Sequence, residues 1–310
     1  MGSSHSCGAF PHDVPSDSVT GARYFKAAST GILLHYRSWS PPNCAPARAT
    51  VYVVHGYAEH LGRHEPFAVA LSQAGFVVHA LDLAGHGQSH GDRAFITSLD
   101  DIVADVLELC VRVAPPAAGS PAFLFGHSMG GLVALRVAQG ATGARLFKGA
   151  VLSAPALNID PAVDTTMNRW LARTLSNILP KLPVTPMDPR KLCTDARVVE
   201  AFLRDPLVYH GNVRVRTGAE IIHHIASAFA DATTMTVPLF IVHGVADQVC
   251  QIGGSRKMAA LLLSPKATLN EYPGAFHELL NEPNVAAQAT RDIIEWLNVR
   301  VAQGGIISVL

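Results

Sequence analysis

The sequence predicts an α/β fold in which a mostly parallel central sheet is flanked by helices and carries an inserted helical cap. Short apolar runs bounded by turn residues alternate with segments of helical periodicity, which is typical of a parallel sheet covered on both faces. The alternation stops near residue 158 and resumes near residue 237, and the residues between show helical patterns without a convincing buried strand.

The apolar runs that predict strands lie at 49–56, 76–83, 121–128, 148–157, 237–244 and 267–274. The segments with helical periodicity lie at 64–74, 99–113, 129–139, 253–263 and 284–301. Two earlier strand candidates, 22–27 and 32–39, follow each other with no helix between them. We therefore expect an antiparallel hairpin at one edge of the sheet.

This pattern predicts three parts. Residues 1–21 form a flexible N-terminal segment, residues 22–157 and 237–310 form the α/β core, and residues 158–236 form the cap. Within the cap, residues 165–183 carry apolar side chains near helical spacing. That apolar face either packs on the core or is exposed to lipid or an acyl chain, and the two interpretations are compatible.

Composition excludes several classes of protein. The 310 residues are 49% hydrophobic, with 24 basic and 24 acidic side chains, so the chain can bury a large core but lacks the basic surface of a nucleic-acid-binding protein. Residues 113–135 are free of charge yet contain three prolines and four glycines, which argues against a membrane-spanning helix. Five scattered cysteines without a secretory segment predict reduced thiols and a cytoplasmic location. No CxxC or HExxH pattern is present, so we expect no metal site.

The clearest catalytic signal is the G-x-S-x-G motif at 126–130, which directly follows a predicted strand and opens a predicted helix. A serine hydroxyl is a weak nucleophile and must be presented on a sharp turn, which glycines on either side permit without clashes. This context favours Ser128 as a nucleophile over an inert serine in a glycine-rich turn.

A nucleophilic serine needs a base, and the base needs an orienting carboxylate, both at the carboxyl ends of later strands. Asp247 follows the strand predicted at 237–244, and His277 follows the strand predicted at 267–274. The order Ser128, Asp247, His277 is the chain order of an αβ-hydrolase triad.

Three other aspartates are weaker candidates for a catalytic carboxylate. Asp231 falls in the predicted cap, and Asp292 falls inside a predicted helix. Asp82 stands at a strand end before a glycine-rich turn, and we expect it to fix that turn without a catalytic role.

An oxyanion that develops at the ester needs hydrogen-bond donors. The backbone N–H of Met129 directly follows the nucleophile and is one candidate. The backbone N–H of Tyr57 is the other, because Gly56 permits a tight bend at the end of the strand predicted at 49–56. We expect the phenol of Tyr57 to be a packing element.

Several motifs together resemble one known family, the monoacylglycerol lipase and lysophospholipase branch of the αβ-hydrolases. They are HGYAEHLGRH (55–64), DLAGHGQSHG (82–91), GHSMGG (126–131), ADQVC (246–250) and GAFHELLNE (274–282). The resemblance spans residues 22 to 302. It implies an αβ-hydrolase fold and hydrolysis of a single-chain acylglycerol by a serine, without cofactor, beneath an apolar cap.

The resemblance places the family's nucleophile, acid and base on Ser128, Asp247 and His277. It places the oxyanion donors on Tyr57 and Met129. Both assignments agree with those made from the strand ends.

The resemblance also implies a head-group site at Glu59 and Arg63, the polar pair that in this family holds the glycerol hydroxyls. A carboxylate acceptor beside a guanidinium donor suits a diol, and the alternative is an exposed ion pair one helical turn apart. Cys250 matches a cysteine near the family's acid, and it is either a modifiable thiol or a small buried hydrophobe. Mammalian members carry a second histidine where this chain has Leu280.

Because Leu280 stands in place of this histidine, the sequence does not decide which head group the substrate carries. The motif HELLNE is similar to the corresponding motif of bacterial, plant and protist members, several of which are called lysophospholipases. The alternative to a monoacylglycerol lipase is therefore a lysophospholipase, and a related carboxylesterase or acyltransferase would use the same acyl-enzyme. Retention of all three triad residues disfavours a non-catalytic binding protein.

The N-terminal sequence MGSSHSC fits a myristoylation signal at Gly2 with a nearby palmitoylation site at Cys7. One myristoyl chain anchors a protein only marginally, so the adjacent cysteine matters. The alternative is an expression tag, although no histidine run follows. We expect peripheral membrane contact through the cap and an acylated N-terminus.

Overall fold

The structure is a computed structural model that describes residues 23–158, 174–262 and 266–306. The strands are β1 Arg23–Lys26, β2 Leu33–Trp39, β3 Ala49–Val54, β4 Phe76–Leu81, β5 Ala122–His127, β6 Phe147–Ser153, β7 Pro183–Thr185, β8 Val213–Arg214, β9 Leu239–Gly244 and β10 Ala267–Tyr272. The α-helices with defined bounds are α1 Glu65–Gln73, α2 Leu99–Glu108, α3 Met129–Gln139, α4 Ala141–Leu146, α5 Ala196–Arg204, α6 Val215–Ala230, α7 Gly253–Leu262 and α8 Ala286–Ile306.

One eight-stranded sheet organises the core, in the order β1-β2-β4-β3-β5-β6-β9-β10. The hairpin β1–β2 is antiparallel and lies at one edge, and β2 is antiparallel to β4. All other neighbours are parallel. The prediction of a mostly parallel sheet with an antiparallel hairpin at its edge is therefore confirmed.

Helices cover both faces of the sheet, as expected for parallel strands joined by crossover helices. One face packs against α1 and α8, and the other against α2, α3, α7 and the second half of α6. The central strand β3 is buried along its whole length. Because both faces are covered, inner parallel strands such as β3, β5 and β9 are near-continuous apolar runs, and this is why the sequence located them. The edge strand β10 instead contains Thr268, Asn270 and Glu271.

Two elements depart from the sequence-based expectation. The helix predicted at 99–113 ends as an α-helix at Glu108 and continues as one π-helical stretch, Leu109–Val113. The segment 158–236, for which a helical cap is predicted, contains a short antiparallel pair, β7 with β8, whose residues in β7 are exposed. Strands β7 and β8 have three and two residues, which are too few to show an apolar alternation, so sequence periodicity does not detect them.

Hydrogen bonds tie the described part of the cap to the core at loops on the carboxyl side of the sheet. The N–H of Glu278 donates to the carbonyl of Leu192 at 2.7 Å, and the hydroxyl and N–H of Thr194 both donate to the Glu282 carboxylate. The His60 ring lies 2.8 Å from the Asp205 carboxylate. These contacts hold residues 192–205 over the loop that carries His277.

Some sequence-based predictions lie outside the described residues. They include the lipidation sites Gly2 and Cys7 and the first part, residues 165–173, of the apolar segment 165–183. Within the described ranges, no helix has the length and apolar character needed to cross a bilayer. Cys110, Cys193 and Cys250 are buried free thiols.

Candidate active site

Ser128 lies on a strained turn between β5 and α3. Its backbone has φ 55° and ψ −121°, a conformation that non-glycine residues rarely adopt. Four backbone hydrogen bonds hold the turn. The Ser128 N–H donates to the Ser153 carbonyl, and the Ser128 carbonyl accepts from Gly131 and Ala156 at 2.9 Å each and from Leu132 at 3.2 Å. The hydroxyl is therefore presented at the carboxyl edge of the sheet, as the G-x-S-x-G motif predicts.

Asp247 and His277 meet at the same edge. Asp247 follows β9, His277 follows β10, and Nδ1 of His277 lies 2.8 Å from Oδ2 of Asp247. The other oxygen, Oδ1, accepts the backbone N–H groups of Val249 and Cys250 at 2.7 and 2.9 Å. Because Oδ2 can only accept, Nδ1 of His277 carries the proton and Nε2 is left as a base.

The environment keeps Asp247 ionised. Burial alone would raise the pKa of Asp247, but the electrostatic interaction with His277 and the hydrogen bonds from His243 and His277 hold this pKa well below its ordinary value. A carboxylate that stays charged is suited to orienting an imidazole and stabilising its protonated form.

Ser128 and His277 open onto one cavity of about 150 Å³, which we call the acyl cavity. In this structure Oγ of Ser128 lies 3.9 Å from Sγ of Cys250, and burial raises the pKa of that thiol, so Cys250 packs as a neutral group. The walls are mainly apolar and come from the core and the cap. They include Met129, Ala156, Met187, Leu192, Phe202, Ile221 and Val249.

The segment that carries the predicted oxyanion donor Tyr57 lies directly against the serine. A Cβ on Gly56 would lie 3.1 Å from Cβ of Ser128 and 2.9 Å from Oε1 of Glu59, so only glycine fits without displacing a neighbour. The backbone N–H groups of Tyr57 and Met129 make no hydrogen bond within the described residues. The phenol of Tyr57 donates to the Ala94 carbonyl at 3.0 Å, in agreement with a packing role.

Glu59 is buried and the Arg63 side chain is only 9% exposed, unlike an exposed ion pair, which was the alternative. Oε1 of Glu59 accepts the Gly56 N–H at 2.5 Å and lies 3.0 Å from Nε2 of His64. Nη2 of Arg63 lies 2.7 Å from each oxygen of Glu278, whereas its Nε lies 3.4 Å from Oε2 of Glu59. Burial would lower the pKa of Arg63, but the charges of Glu278 and Glu59 raise it, so the guanidinium stays charged.

A second, much smaller cavity of about 20 Å³ lies beside the acyl cavity, and we call it the polar cavity. Glu59, His127 and Glu278 line both cavities and so separate them. Leu280 lines the polar cavity, where the resemblance places a second histidine in mammalian members. Burial lowers the pKa of His127 to about 3, so this ring is neutral beside His277.

The three weaker candidates for the catalytic carboxylate have partners other than His277. Asp82 accepts the N–H groups of Leu61 and Gln88 at 2.8 Å and lies 2.8 Å from Nδ1 of His35, which fixes the turn as expected. Asp231 pairs with Arg136, and Asp292 accepts from the phenol of Tyr272. In the described chain no group of three His, Cys, Asp or Glu side chains is arranged to hold a metal ion.

Two residues of the site are absent from the sequence-based prediction. His243, the penultimate residue of β9, lies 3.2 Å from Oδ2 of Asp247, and Glu278 supplies the main partner of Arg63. The available signal for His243 is a repeat of H-G-x-A-acid, which occurs at 55–59 and again at 243–247.

The parallel sheet, the serine turn and the buried aspartate–histidine pair at one sheet edge define an αβ-hydrolase with a candidate serine nucleophile. The sequence matches the family described as Serine aminopeptidase, S33, over residues 45–284, so the chain belongs to this family of serine hydrolases.

Named relatives agree over nearly the whole chain. A monoacylglycerol lipase of Mycolicibacterium smegmatis is 33% identical over 90% of this chain and 98% of its own length. The human monoglyceride lipase is 33% identical over 90% of this chain and 91% of its own length. The crystal structure of Paleococcus ferrophilus monoacylglycerol lipase superposes with a TM-score of 0.76 at 31% identity, covering 86% of this chain and 99% of that one.

Proposed function

We propose that this chain hydrolyses the ester bond of monoacylglycerols to a free fatty acid and glycerol through an acyl-enzyme on Ser128. The observation that carries the proposal is the 2.8 Å contact between Asp247 and His277 at the apolar cavity that Ser128 also lines. Relatives named monoacylglycerol lipase and monoglyceride lipase support the substrate class.

In the first half of the reaction, Oγ of Ser128 attacks the ester carbonyl while Nε2 of His277 takes the hydroxyl proton. Oγ of Ser128 lies 3.9 Å from Sγ of Cys250, so the hydroxyl turns from Cys250 toward His277 for this transfer. Asp247 holds the Nδ1 proton and balances the imidazolium charge. The N–H groups of Tyr57 and Met129 donate to the oxyanion.

Collapse of the tetrahedral intermediate breaks the bond to the glycerol oxygen, and His277 returns the proton to that oxygen. Glycerol leaves, and the acyl chain stays esterified to Ser128. In the second half, a water gives a proton to His277 and attacks the acyl carbonyl. Collapse of this intermediate breaks the bond to Oγ of Ser128, His277 returns the proton to Oγ, and the fatty acid leaves.

The head group is assigned to the boundary between the two cavities. Oε1 of Glu59 is occupied by Gly56 and His64, whereas among the described residues Oε2 has only the 3.4 Å contact with Nε of Arg63 and can accept a glycerol hydroxyl. Nη1 of Arg63 makes no hydrogen bond in the described part of the chain and can donate to a second hydroxyl. A vicinal diol would satisfy both groups.

The acyl chain is assigned to the apolar walls that the cap contributes, including Met187, Phe202 and Ile221. Burying an apolar chain there is favourable at about 25 cal/mol per Å² of surface removed from water. The volume of the acyl cavity holds the ester and the near end of the chain, so a long chain extends beyond these walls.

Peripheral membrane contact is assigned to the outer surface of the cap. Ile178 is 68% exposed, Leu179 51%, Leu182 39% and Val184 47%, and they fall within seven consecutive residues. Large exposed apolar side chains in one cluster are unfavourable in water and suit a lipid surface. This contact would let a single-chain substrate leave the bilayer beside the acyl cavity.

The test is paired steady-state kinetics on 2-monooleoylglycerol and oleoyl-lysophosphatidylcholine, with Glu59→Gln measured beside the native protein. The proposal predicts a higher kcat/KM for the glyceride, and a loss for Glu59→Gln that is larger on the glyceride than on the lysolipid. A higher kcat/KM for the lysolipid would make the chain a lysophospholipase, with the head-group site altered at Leu280.

A further inference from the structure

Asp247 receives a second histidine besides His277. Nε2 of His243 lies 3.2 Å from Oδ2 of Asp247, the same oxygen that His277 contacts, and 2.6 Å from the carbonyl oxygen of Cys250. The His243 side chain is completely buried. His243 does not belong to the residues that line the acyl cavity.

Chemistry fixes the tautomer of His243. Nε2 faces a carboxylate oxygen and a carbonyl oxygen, and both can only accept, so Nε2 must carry a proton. Nδ1 lies 2.8 Å from the hydroxyl of Ser255, which can donate to it. The neutral ring thus satisfies both nitrogens, and one shared N–H connects the two ends of the loop 247–250.

The first copy of the H-G-x-A-acid pattern works in a similar way. Nδ1 of His55 lies 2.7 Å from the Gly56 carbonyl, and Nε2 of His55 accepts the Leu83 N–H at 3.0 Å. The Gly56 carbonyl and the Tyr57 N–H belong to one peptide group, so His55 orients that group. At both strand ends, a buried histidine fixes the loop that follows it.

We propose that His243 is a positioning residue for the acid of the triad. Its Nε2–H holds Oδ2 of Asp247 and the Cys250 carbonyl together, so the carboxylate presents Oδ2 to Nδ1 of His277 in one orientation. This inference rests on the proposed function, since it requires that Asp247 orients the base. His243 itself does not touch the substrate or the reacting atoms.

Loss of this hydrogen bond has two consequences. The carboxylate is held less firmly, so the orientation of His277 is less well defined and kcat falls. Asp247 also loses one donor and becomes a stronger partner for the imidazolium of His277, so the acid limb of kcat/KM moves to higher pH. A residue that only fills space would change stability and leave the acid limb unchanged.

Other titratable groups face this cluster from the neighbouring elements. The ring of His127 packs against the ring of His277, with 4.8 Å between centroids, and the Cys250 thiol lies beside Asp247. Glu271 on β10 forms an ion pair with Arg256 on α7. Glu271 is the register partner of His243 in the sheet. All of them are kept in the variants below, so a moved acid limb reports on His243.

The experiment compares His243→Gln with His243→Asn on monooleoylglycerol. The amide nitrogen of glutamine reaches the place of the imidazole Nε2, whereas that of asparagine reaches only the place of Nδ1. We expect His243→Gln to keep kcat within about threefold. We expect His243→Asn to lower kcat about tenfold or more, with KM within about threefold and an acid limb about half a pH unit higher.

The matched control is His79→Asn, the same change at a buried histidine on β4 that contacts Ser38 at 2.7 Å and lies outside the site. It should lower stability and leave kcat and the acid limb unchanged. The proposal is overturned if His243→Asn has the native kcat and acid limb, or if His243→Gln loses as much as His243→Asn. An active Ser128→Ala would instead overturn the proposed function.

Discussion

Arg63 and Glu278 form a buried ion pair that joins the two loops on which the proposed chemistry depends. Nη2 of Arg63 lies 2.7 Å from both oxygens of Glu278, and each side chain is less than a tenth exposed. Arg63 follows the segment of Tyr57, and Glu278 directly follows His277. The pair therefore fixes the proposed oxyanion segment relative to the base.

A double-mutant cycle measures this pair. Arg63→Met leaves the Glu278 carboxylate buried without its main partner, so we expect a loss of about 3 kcal/mol in the free energy of unfolding. Glu278→Gln costs less, because Glu59 still faces Arg63. Urea unfolding should give a coupling energy of about 1 to 3 kcal/mol, and additivity within about 0.5 kcal/mol would contradict the pair.

Gly56→Ala tests the contact between the oxyanion segment and the serine. The added Cβ would lie 3.1 Å from Cβ of Ser128 and 2.9 Å from Oε1 of Glu59, so the segment has to move. A displacement of this size should lower kcat by about 10- to 100-fold with the fold intact, measured by steady-state hydrolysis and circular dichroism.

Gly218→Ala is the control for Gly56→Ala. A Cβ on Gly218 meets no heavy atom within 4 Å, and the residue lies inside helix α6. It should keep full activity and gain about 0.5 to 1 kcal/mol in stability. Equal kcat for Gly56→Ala and Gly218→Ala would show that the Tyr57 segment is not needed at its observed position.

Asp105 makes stability depend on pH. Burial raises the pKa of Asp105 to about 6, the Ser29 hydroxyl opposes the shift, and Glu108 adds to it. The folded protein therefore keeps a proton that the unfolded chain loses near pH 4, so this carboxyl lowers the free energy of unfolding as pH rises from about 4 to 6. Above pH 6 the folded protein bears the full free-energy cost of a buried, ionised Asp105.

Asp105→Asn removes that cost because an amide cannot ionise. We expect the variant to be more stable than the native protein by about 1 to 3 kcal/mol at pH 7.5 and equally stable at pH 4, measured by urea unfolding at both values. The control Glu295→Gln changes an exposed carboxyl on α8 and should leave the free energy of unfolding unchanged at both pH values. A gain of the same size at pH 4 would exclude ionisation as the cause.

The sequence identifies those parts of the fold that have a local signal. Strands such as β3 and β9 are apolar runs with a His-Gly pair at or just after their ends, and the triad candidates Asp247 and His277 follow from their positions after strands. The family resemblance added Glu59 and Arg63, which local patterns would not have selected.

What the sequence misses depends on distant contacts. The partner of Arg63 is Glu278, 215 residues later, and nothing near either residue indicates the pairing. His243 lies in an apolar strand, where a histidine is usually structural, and its contact with Asp247 depends on how the loop 247–250 folds back. The small sheet of β7 and β8 is too short to have a period.

The most direct test of the proposed function is the kcat of Ser128→Ala on monooleoylglycerol relative to the native protein. If Ser128 forms the acyl-enzyme, kcat falls by about 10⁴-fold or more, while the circular dichroism spectrum and thermal midpoint stay close to native. If the folded variant instead keeps kcat within about tenfold of native, Ser128 is not the nucleophile and the assigned triad is wrong.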